Sequence, residues 1–392
     1  MEKIEYQYWL ANLKNIGVRK IDVLLKLFGT AEAVYRAAEK ELYALKKDKA
    51  LPDRFSEADI ETILRSRDAG RIHDDYTKLL SRGIYFVTRE DTEYPGQLRP
   101  ICGAPYGLYV RGGLPGQKEK LLAVVGARDC SPYGREMAAW LAGAAAKAGI
   151  GIVSGLARGV DRYAHEGALA AGGRTYGVMG CGIDICYPRE HINLYMEIKK
   201  EGGIISEYAP GTQPAAGNFP VRNRIISGLC QGILVVEARQ KSGSLITVDQ
   251  GLEQGKEIYA LPGRAMDRLS EGCNNLIKMG AKLITSPKDI LEDYFPNYEQ
   301  NMDELKKNNK QLEKVEKIVY ASLCLEPRSM EELARMTGLP MDVLMEKLFF
   351  LELQGYARQI GKNYYVAQEV FPDHRVDELQ TEMRETFTCQ NI

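Results

Sequence analysis

Between residues 119 and 296, short β-branched and aliphatic runs alternate with helical segments, and this alternation constrains the fold more than any other feature of the chain. Leu121-Leu122-Ala123-Val124-Val125 is the first such run, and others fall within 151–155, 174–180, 202–208, 232–239 and 256–263. Each ends on glycine or a polar residue, as strands buried on both faces do. Helical segments separate most of them, and the one over 133–149 carries a face of Gly and Ala. Strands alternating with helices predict an α/β fold with an open, mostly parallel sheet. Ligands of such sheets lie beyond the carboxyl ends of the strands.

At 392 residues the chain is long enough for more than one domain. Residues 1–80 have helical spacing in Leu10, Leu13 and Ile16, then Ile21, Leu24, Leu25 and Phe28, broken at Asn15-Ile16-Gly17. This predicts a helical domain similar to SAM or helix-hairpin-helix modules. Val18 and Arg19 follow Gly17, so the second hairpin glycine of a phosphate-holding module is missing. Residues 81–296 are expected to form an extended Rossmann-like domain that begins with a Pro- and Gly-punctuated strand region at 84–112. A polar linker over 297–311 leads to a winged helix over 312–368, read as three helices and a two-stranded wing, and a charged tail over 369–392. The expected recognition helix of the wing offers Lys347 against Asp342, Glu346 and Glu352, a poor composition for reading DNA.

The formal net charge of -1 does not mark a polyanion binder, but its distribution is uneven. Residues 120–284 hold 19 Lys and Arg against 15 Asp and Glu, whereas residues 312–392 hold 9 against 14. An anionic partner is thus expected at the sheet domain. Eight cysteines without a CxxC pair and four scattered histidines suggest free thiols and neither a metal site nor a cofactor. The first fifteen residues lack the apolar core of a signal peptide, and no run has the apolar length of a membrane span. The expectation is a soluble cytoplasmic protein.

Chemistry concentrates at the expected strand ends. Gly126-Ala127-Arg128 follows the first strand, with Ser131 as helix cap and Pro132 in the first turn. One glycine stands where the dinucleotide fingerprint needs three. A helix N-terminus beside an arginine holds phosphate, although a tight turn with a surface arginine looks the same in sequence. The second strand ends in Ser154, Gly155, Arg158 and Asp161, where Asp161 can cap the next helix, and His165 follows one turn on. The third leads through Gly180 and Tyr187-Pro188 to Arg189. Phe219, Arg222, Asn223 and Arg224 open a later helix: an aromatic face can stack on an unpaired base while arginines neutralise phosphate, or the same residues are a core Phe and helix-surface arginines. Ser242-Gly243-Ser244 offers hydroxyls and backbone N–H groups at another helix start, and Arg264 follows Leu261-Pro262-Gly263. Together these ends suit a phosphate-bearing ligand.

In order, VVGAR…SPYG, SGLARGVDRYAH, CYP, ISEY, FPVRNRIISGL, VVEA, SGSLIT, LPG and NNLIKMGA resemble the pattern of the DprA/Smf family across about residues 94–284. Val160 and Gln250 are modest departures. The resemblance implies a non-enzymatic protein that binds and protects single-stranded DNA, forms a homodimer and helps load the recombinase RecA during DNA uptake and natural transformation. It also implies that Arg128 is a DNA ligand, that Arg189 is the basic residue after Tyr-Pro, and that Phe219 is the aromatic of the FPxRNR motif. For the dimer, residues 274–281 suggest an apolar helix and edge strand. The alternative is a nucleotide-processing enzyme similar to lysine-decarboxylase-like phosphoribohydrolases. Their PGGxGTxxE segment is replaced here by KSGSLITVDQG, with Asp249 out of register for the catalytic Glu.

Overall fold

Alternating apolar strands and helices fold as the pattern requires. The structure is a computed structural model and describes residues 1–47, 53–295, 314–324, 327–353, 356–360 and 363–367. The expected linker over 297–311 and the tail over 369–392 lie outside the described residues. Residues 1–294 form one compact unit and the C-terminal part a second.

In the first unit nine strands make one sheet: β1 (Tyr85–Thr88), β2 (Gly107–Gly112), β3 (Leu121–Val125), β4 (Gly151–Ser154), β5 (Thr175–Met179), β6 (Gly203–Ser206), β7 (Gly232–Val235), β8 (Glu257–Ala260) and β9 (Lys282–Leu283). Their spatial order is β1-β2-β6-β5-β4-β3-β7-β8-β9. From β6 to β9 all neighbours are parallel, and β2 and β1 add antiparallel at one edge. The chain therefore lays β3, β4, β5 and β6 outward in one direction, then returns past β3 to lay β7, β8 and β9 in the other. The reversal lies between β3 and β7, where the loops leaving two adjacent strands diverge and open a crevice.

Six helices precede the sheet: α1 (Lys3–Ala11), α2 (Val18–Phe28), α3 (Ala31–Arg36), α4 (Glu39–Lys47), α5 (Glu57–Arg65) and α6 (Ala69–Ser81). They have their own core of Trp9, Leu10, Leu24, Val34, Leu42, Ile60 and Ile63. Tyr8 of α1 meets the rings of Phe86 and Tyr109 edge-on, and the Tyr109 hydroxyl donates to Asn12 Oδ1 at 2.8 Å, so this helical part rests on β1 and β2.

Between and after the strands run α7 (Pro132–Lys147), α8 (Val160–Ala170), α9 (Ile192–Glu201), α10 (Asn218–Leu229), α11 (Gly243–Glu253), α12 (Glu271–Lys278) and α13 (Lys288–Tyr294). The small-residue face of α7 has a clear purpose: α7 and α8 pack backbone to backbone. A Cβ on Gly167 of α8 would stand 2.2 Å from Ala139 O, and one on Gly143 of α7 3.1 Å from Gly167 O. Residues 274–281, expected at a dimer contact, are the last five residues of α12 and the turn after it, and the sheet's edge strand β9 begins just beyond them at Lys282. Leu276 and Ile277 of α12 pack partly against the main core, whereas Met279 and Leu283 are exposed.

The second unit contains α14 (Lys314–Ser322), α15 (Met330–Thr337) and α16 (Met341–Leu353), with β10 (Arg328–Ser329), β11 (Ala357–Gln359) and β12 (Tyr364–Ala367). It is a winged helix with its own core of Val319, Leu333, Leu344, Leu348 and Leu351. The sheet has three strands where the sequence suggested two, because Arg328 and Ser329 pair with Tyr365 and Tyr364. Two residues before a capped helix carry no readable period, and Ser329 closes a capping box with Glu332 in the same place. On α16, Met341, Met345, Phe349 and Leu353 are exposed at four-residue spacing, giving an apolar row on the expected recognition helix.

The α7–α8 contact yields a direct expectation. Gly167→Val forces a side chain into the backbone of Ala139, and overpacking of this kind costs about 1–3 kcal/mol or more. The variant should melt several degrees below the wild type in a thermal scan, whereas Gly70→Ala, in the first turn of α6 where a Cβ meets only an ordinary contact at 3.6 Å, should lose far less.

Candidate nucleic-acid interface

At the reversal, two loops clamp each other. Ala127 N donates to Glu237 O at 2.7 Å, and Val160 N donates to Ala127 O at 3.1 Å. The loop after β3 is thus fixed both to the loop after β7 and to the start of α8. Gly126 is required there, since a Cβ would lie 2.6 Å from Val160 Cγ2 and 2.9 Å from Glu237 O. Gly159 is required too: its φ is +74°, and a Cβ would stand 2.2 Å from Ala127 O. Ser131 caps α7 as expected, its Oγ accepting from Gly134 N, with Pro132 in the first turn. Glu237 is buried and its carboxylate accepts from Ser131 N and Ser131 Oγ at 2.8 and 2.5 Å.

Beyond this clamp lies a cleft of about 580 Å³. Nine of the residues singled out in the sequence line it: Gly126, Ala127, Arg128, Phe219, Arg222, Asn223, Ser242, Gly243 and Ser244. Arg128 is exposed and has no ion pair among the described residues; its guanidinium lies over the Phe219 ring, 5.8 Å from the centroid. Phe219, half-buried in the first turn of α10, rests on Gly180, where a Cβ would come within 2.7 Å of the ring. The ring also meets Tyr187, stacked at 5.6 Å and 30°, and the guanidinium of Arg222, 5.9 Å from its centroid. Across the cleft Ser242 caps α11, its Oγ accepting weakly from Ser244 N at 3.4 Å, and the space around Gly243 is open.

Other expectations are corrected. Arg222 is not a helix-surface cation: it is buried, and its Nη1 donates to Gly155 O at 3.0 Å and to Val178 O. Burial pushes its guanidinium down to about 10, against the pull of Asp161, so it stays charged at neutral pH. Asp161 does not cap α8. It lies inside the helix and accepts from Gly155 N at 3.1 Å and Ala157 N at 3.4 Å, and burial raises its carboxyl while Arg222 opposes the rise. Ser154 is fully buried and its Oγ donates to Val124 O, so its hydroxyl cannot reach a ligand. Gly155 lies under Arg222, whose Nη2 a Cβ would meet at 2.6 Å. These two residues support the cleft from behind. Arg224 turns away, in a two-oxygen pair with Glu207 at 2.8 Å and a bond to Gly103 O. Arg189 is exposed but outside the cleft, in the 3₁₀ turn Arg189–His191 after the cis Tyr187–Pro188 bond. Arg158 lies in a neighbouring concavity and pairs with Glu190. His165 is structural: it is buried against Thr175 Oγ1, and burial pushes its imidazole down to about 3.

Three cleft residues escaped the sequence reading. Arg239 and Lys241 are exposed, have no ion pair among the described residues and flank the mouth just before Ser242. Two cations immediately ahead of a Ser-Gly-Ser helix start were the available signal. Tyr187 is 45% exposed, and nothing in the sequence shows that it stacks on a ring 32 positions away.

The family described as DNA recombination-mediator protein A matches residues 85–295, and the DprA winged helix domain matches residues 304–361. The chain belongs to the DprA/Smf family. The DNA processing protein DprA of Streptococcus pneumoniae is 44% identical over 204 residues, 52% of this chain and 72% of that protein. Protein Smf of Escherichia coli is 36% identical over 287 residues, 71% of this chain and 76% of the relative. The X-ray structure of S. pneumoniae DprA superposes with a TM-score of 0.63 at 32% identity, covering 74% of this chain and 98% of the other. The protein thus has a role in DNA processing. Among the described residues no helix is long and apolar enough to cross a membrane.

The contrast between buried and exposed arginines can be measured. Arg222→Ala removes a buried charge from Asp161 and two carbonyls, and breaking such a pair costs about 3–5 kcal/mol. Its melting temperature should fall well below that of the wild type. Arg128→Ala should melt like the wild type, since an exposed unpaired side chain contributes little to stability. Equal melting of both variants would show that Arg222 is not a brace.

Proposed function

We propose that the cleft at the strand-order reversal binds single-stranded DNA, with Arg128, Arg239 and Lys241 neutralising phosphates and Phe219 presenting a ring to a base. The observation that carries this reading is Arg128, exposed and unpaired beside a half-buried aromatic ring on a rigidly clamped loop. Gly126, Ala127, Ser242, Gly243 and Ser244 supply backbone and hydroxyl groups at the same rim. A single strand is favoured over duplex because stacking needs an unpaired base face. On this reading the protein is a homodimer that protects incoming DNA and helps load RecA in the cytoplasm. Binding is favoured over hydrolysis because Asp249 on α11, the acidic residue nearest the segment that carries the catalytic Glu of the phosphoribohydrolases, does not line the cleft; the carboxylates that do are Asp161, committed to Gly155 and Ala157, and the exposed Asp129 beside Arg128.

Fluorescent oligo-dT titrated against salt tests the assignment. Contact with about three to five phosphates gives a slope of log affinity against log salt of about -2 to -3.5. Arg128→Ala should weaken binding and flatten the slope by about 0.7. Phe219→Ala should lose about 1–3 kcal/mol of affinity and keep the slope. An Arg128→Ala protein that binds as tightly as the wild type would overturn the site.

The winged helix gives a separate expectation. Its apolar row on α16 and its excess of acidic residues do not suit phosphate, so removing residues 312–392 should leave affinity for oligo-dT within a few fold. A loss as large as that of Arg128→Ala would make the wing a principal DNA contact.

A further inference from the structure

The far side of Arg128 opens into a second concavity of about 290 Å³, at the N-terminal ends of α7 and α8. Arg128 and Asp129 line both hollows and so form the ridge between them. The second hollow brings in Arg135, Arg158 and Arg162, against the carboxylates of Asp129 and Glu190. At its centre is the half-buried ring of Tyr163, with the guanidinium of Arg135 at 5.7 Å from its centroid and that of Arg162 at 5.5 Å. Arg135 has no ion pair among the described residues, whereas Arg158 is held by Glu190 and Arg162 by Glu166. An arginine resting on an aromatic face keeps its N–H edge free for an anion and has less side-chain freedom to lose on binding. The start of α8 adds to the potential, since Gly159 provides no side-chain cap, although the Val160 N–H is already taken by Ala127 O.

We infer that this hollow is a second backbone station for the same DNA strand: the strand crosses the Arg128 ridge, and its next phosphodiesters are held by Arg135 and by Arg162, which exchanges its exposed pair with Glu166 for phosphate, both positioned by Tyr163. The inference rests on the cleft reading above. Nothing in the hollow reads a base, so the station adds affinity with length and no sequence preference. Tyr163 is a positioning residue, touching the two guanidiniums and not the ligand.

The test compares a short oligo-dT of about 4 nucleotides, which fits the first cleft, with one of about 16 that can span both. Full-length wild type, Arg135→Ala/Arg162→Ala, Tyr163→Ala and Tyr163→Phe are titrated at several salt concentrations. The double variant should bind the short oligonucleotide as the wild type does. With the long one its salt slope should be shallower by about 1.4, so the wild-type advantage shrinks about sevenfold between about 50 and about 200 mM salt. Tyr163→Ala should lose part of the same length-dependent gain and Tyr163→Phe should keep it, which a purely structural tyrosine would not show. A double variant with wild-type slope and affinity on the long oligonucleotide would overturn the second station and leave the cleft reading standing. If the wild type binds neither oligonucleotide, the cleft reading itself fails, and the second station with it.

Discussion

The functional face depends on one backbone hydrogen bond, from Ala127 N to Glu237 O, made where the order of strands reverses. Loops leaving β3 and β7 would otherwise diverge, because the chain continues to opposite sides of the sheet. A single such bond contributes only about 1 kcal/mol, so its effect comes from what is built on it. Val160 N closes on the carbonyl of the same residue, and the Glu237 carboxylate holds the capping serine of α7. Three elements thus fix one residue on every side, and Arg128, the next in sequence, has no freedom left except in its side chain.

Charge is divided in depth around that clamp. Arg222 and Asp161 are buried together, their hydrogen bonds go to the backbone of the second and third strand ends, and neither side chain is free to leave. Burying charges in this way adds little net stability, but losing one partner is costly. The pair therefore acts as an internal brace that keeps the β4 and β5 ends in register with α10, the helix that carries Phe219. Arg128, Arg239 and Lys241 are the opposite case: exposed, unpaired among the described residues and supported by the brace. A guanidinium already satisfied by carbonyls cannot serve a phosphate as well, so on the proposed reading the burial of Arg222 leaves the ligand to the outer cations.

This division marks what could be read in the sequence. The strands were legible because a central parallel strand is buried on both faces and must be a continuous apolar run, as Leu121–Val125 is. Gly126, Ser131 and Ser242–Ser244 were legible because turns and caps demand particular residues at fixed offsets. That neither arginine of the FPVRNR segment is a free cation for a ligand was not legible. Arg222 and Arg224 are two positions apart on one helix, and their roles are set by Val178, Gly155 and Glu207, which come from other parts of the chain. Ser154 was misjudged for the same reason, since a serine ending a strand can face solvent or, as here, the carbonyl of Val124 on the adjacent strand. Tyr187 was missed because its partner is also remote in sequence.

The chemistry of the cleft also bears on selectivity. Guanidinium, ammonium and backbone N–H groups recognise the phosphodiester, which is the same at every nucleotide. A ring face accepts any base. Discrimination would need side chains with both a donor and an acceptor held toward a base edge. The amide that lines the cleft is Asn223, and its Oδ1 accepts from Arg222 Nε at 3.1 Å, which occupies one of the oxygen's two lone pairs and fixes the way the side chain is turned. The brace that orders the cleft therefore also holds the amide most suited to reading an adenine edge against Arg222 instead of letting it turn to a base, so on the proposed reading a surface that binds strands of any sequence follows from the way the site is held together.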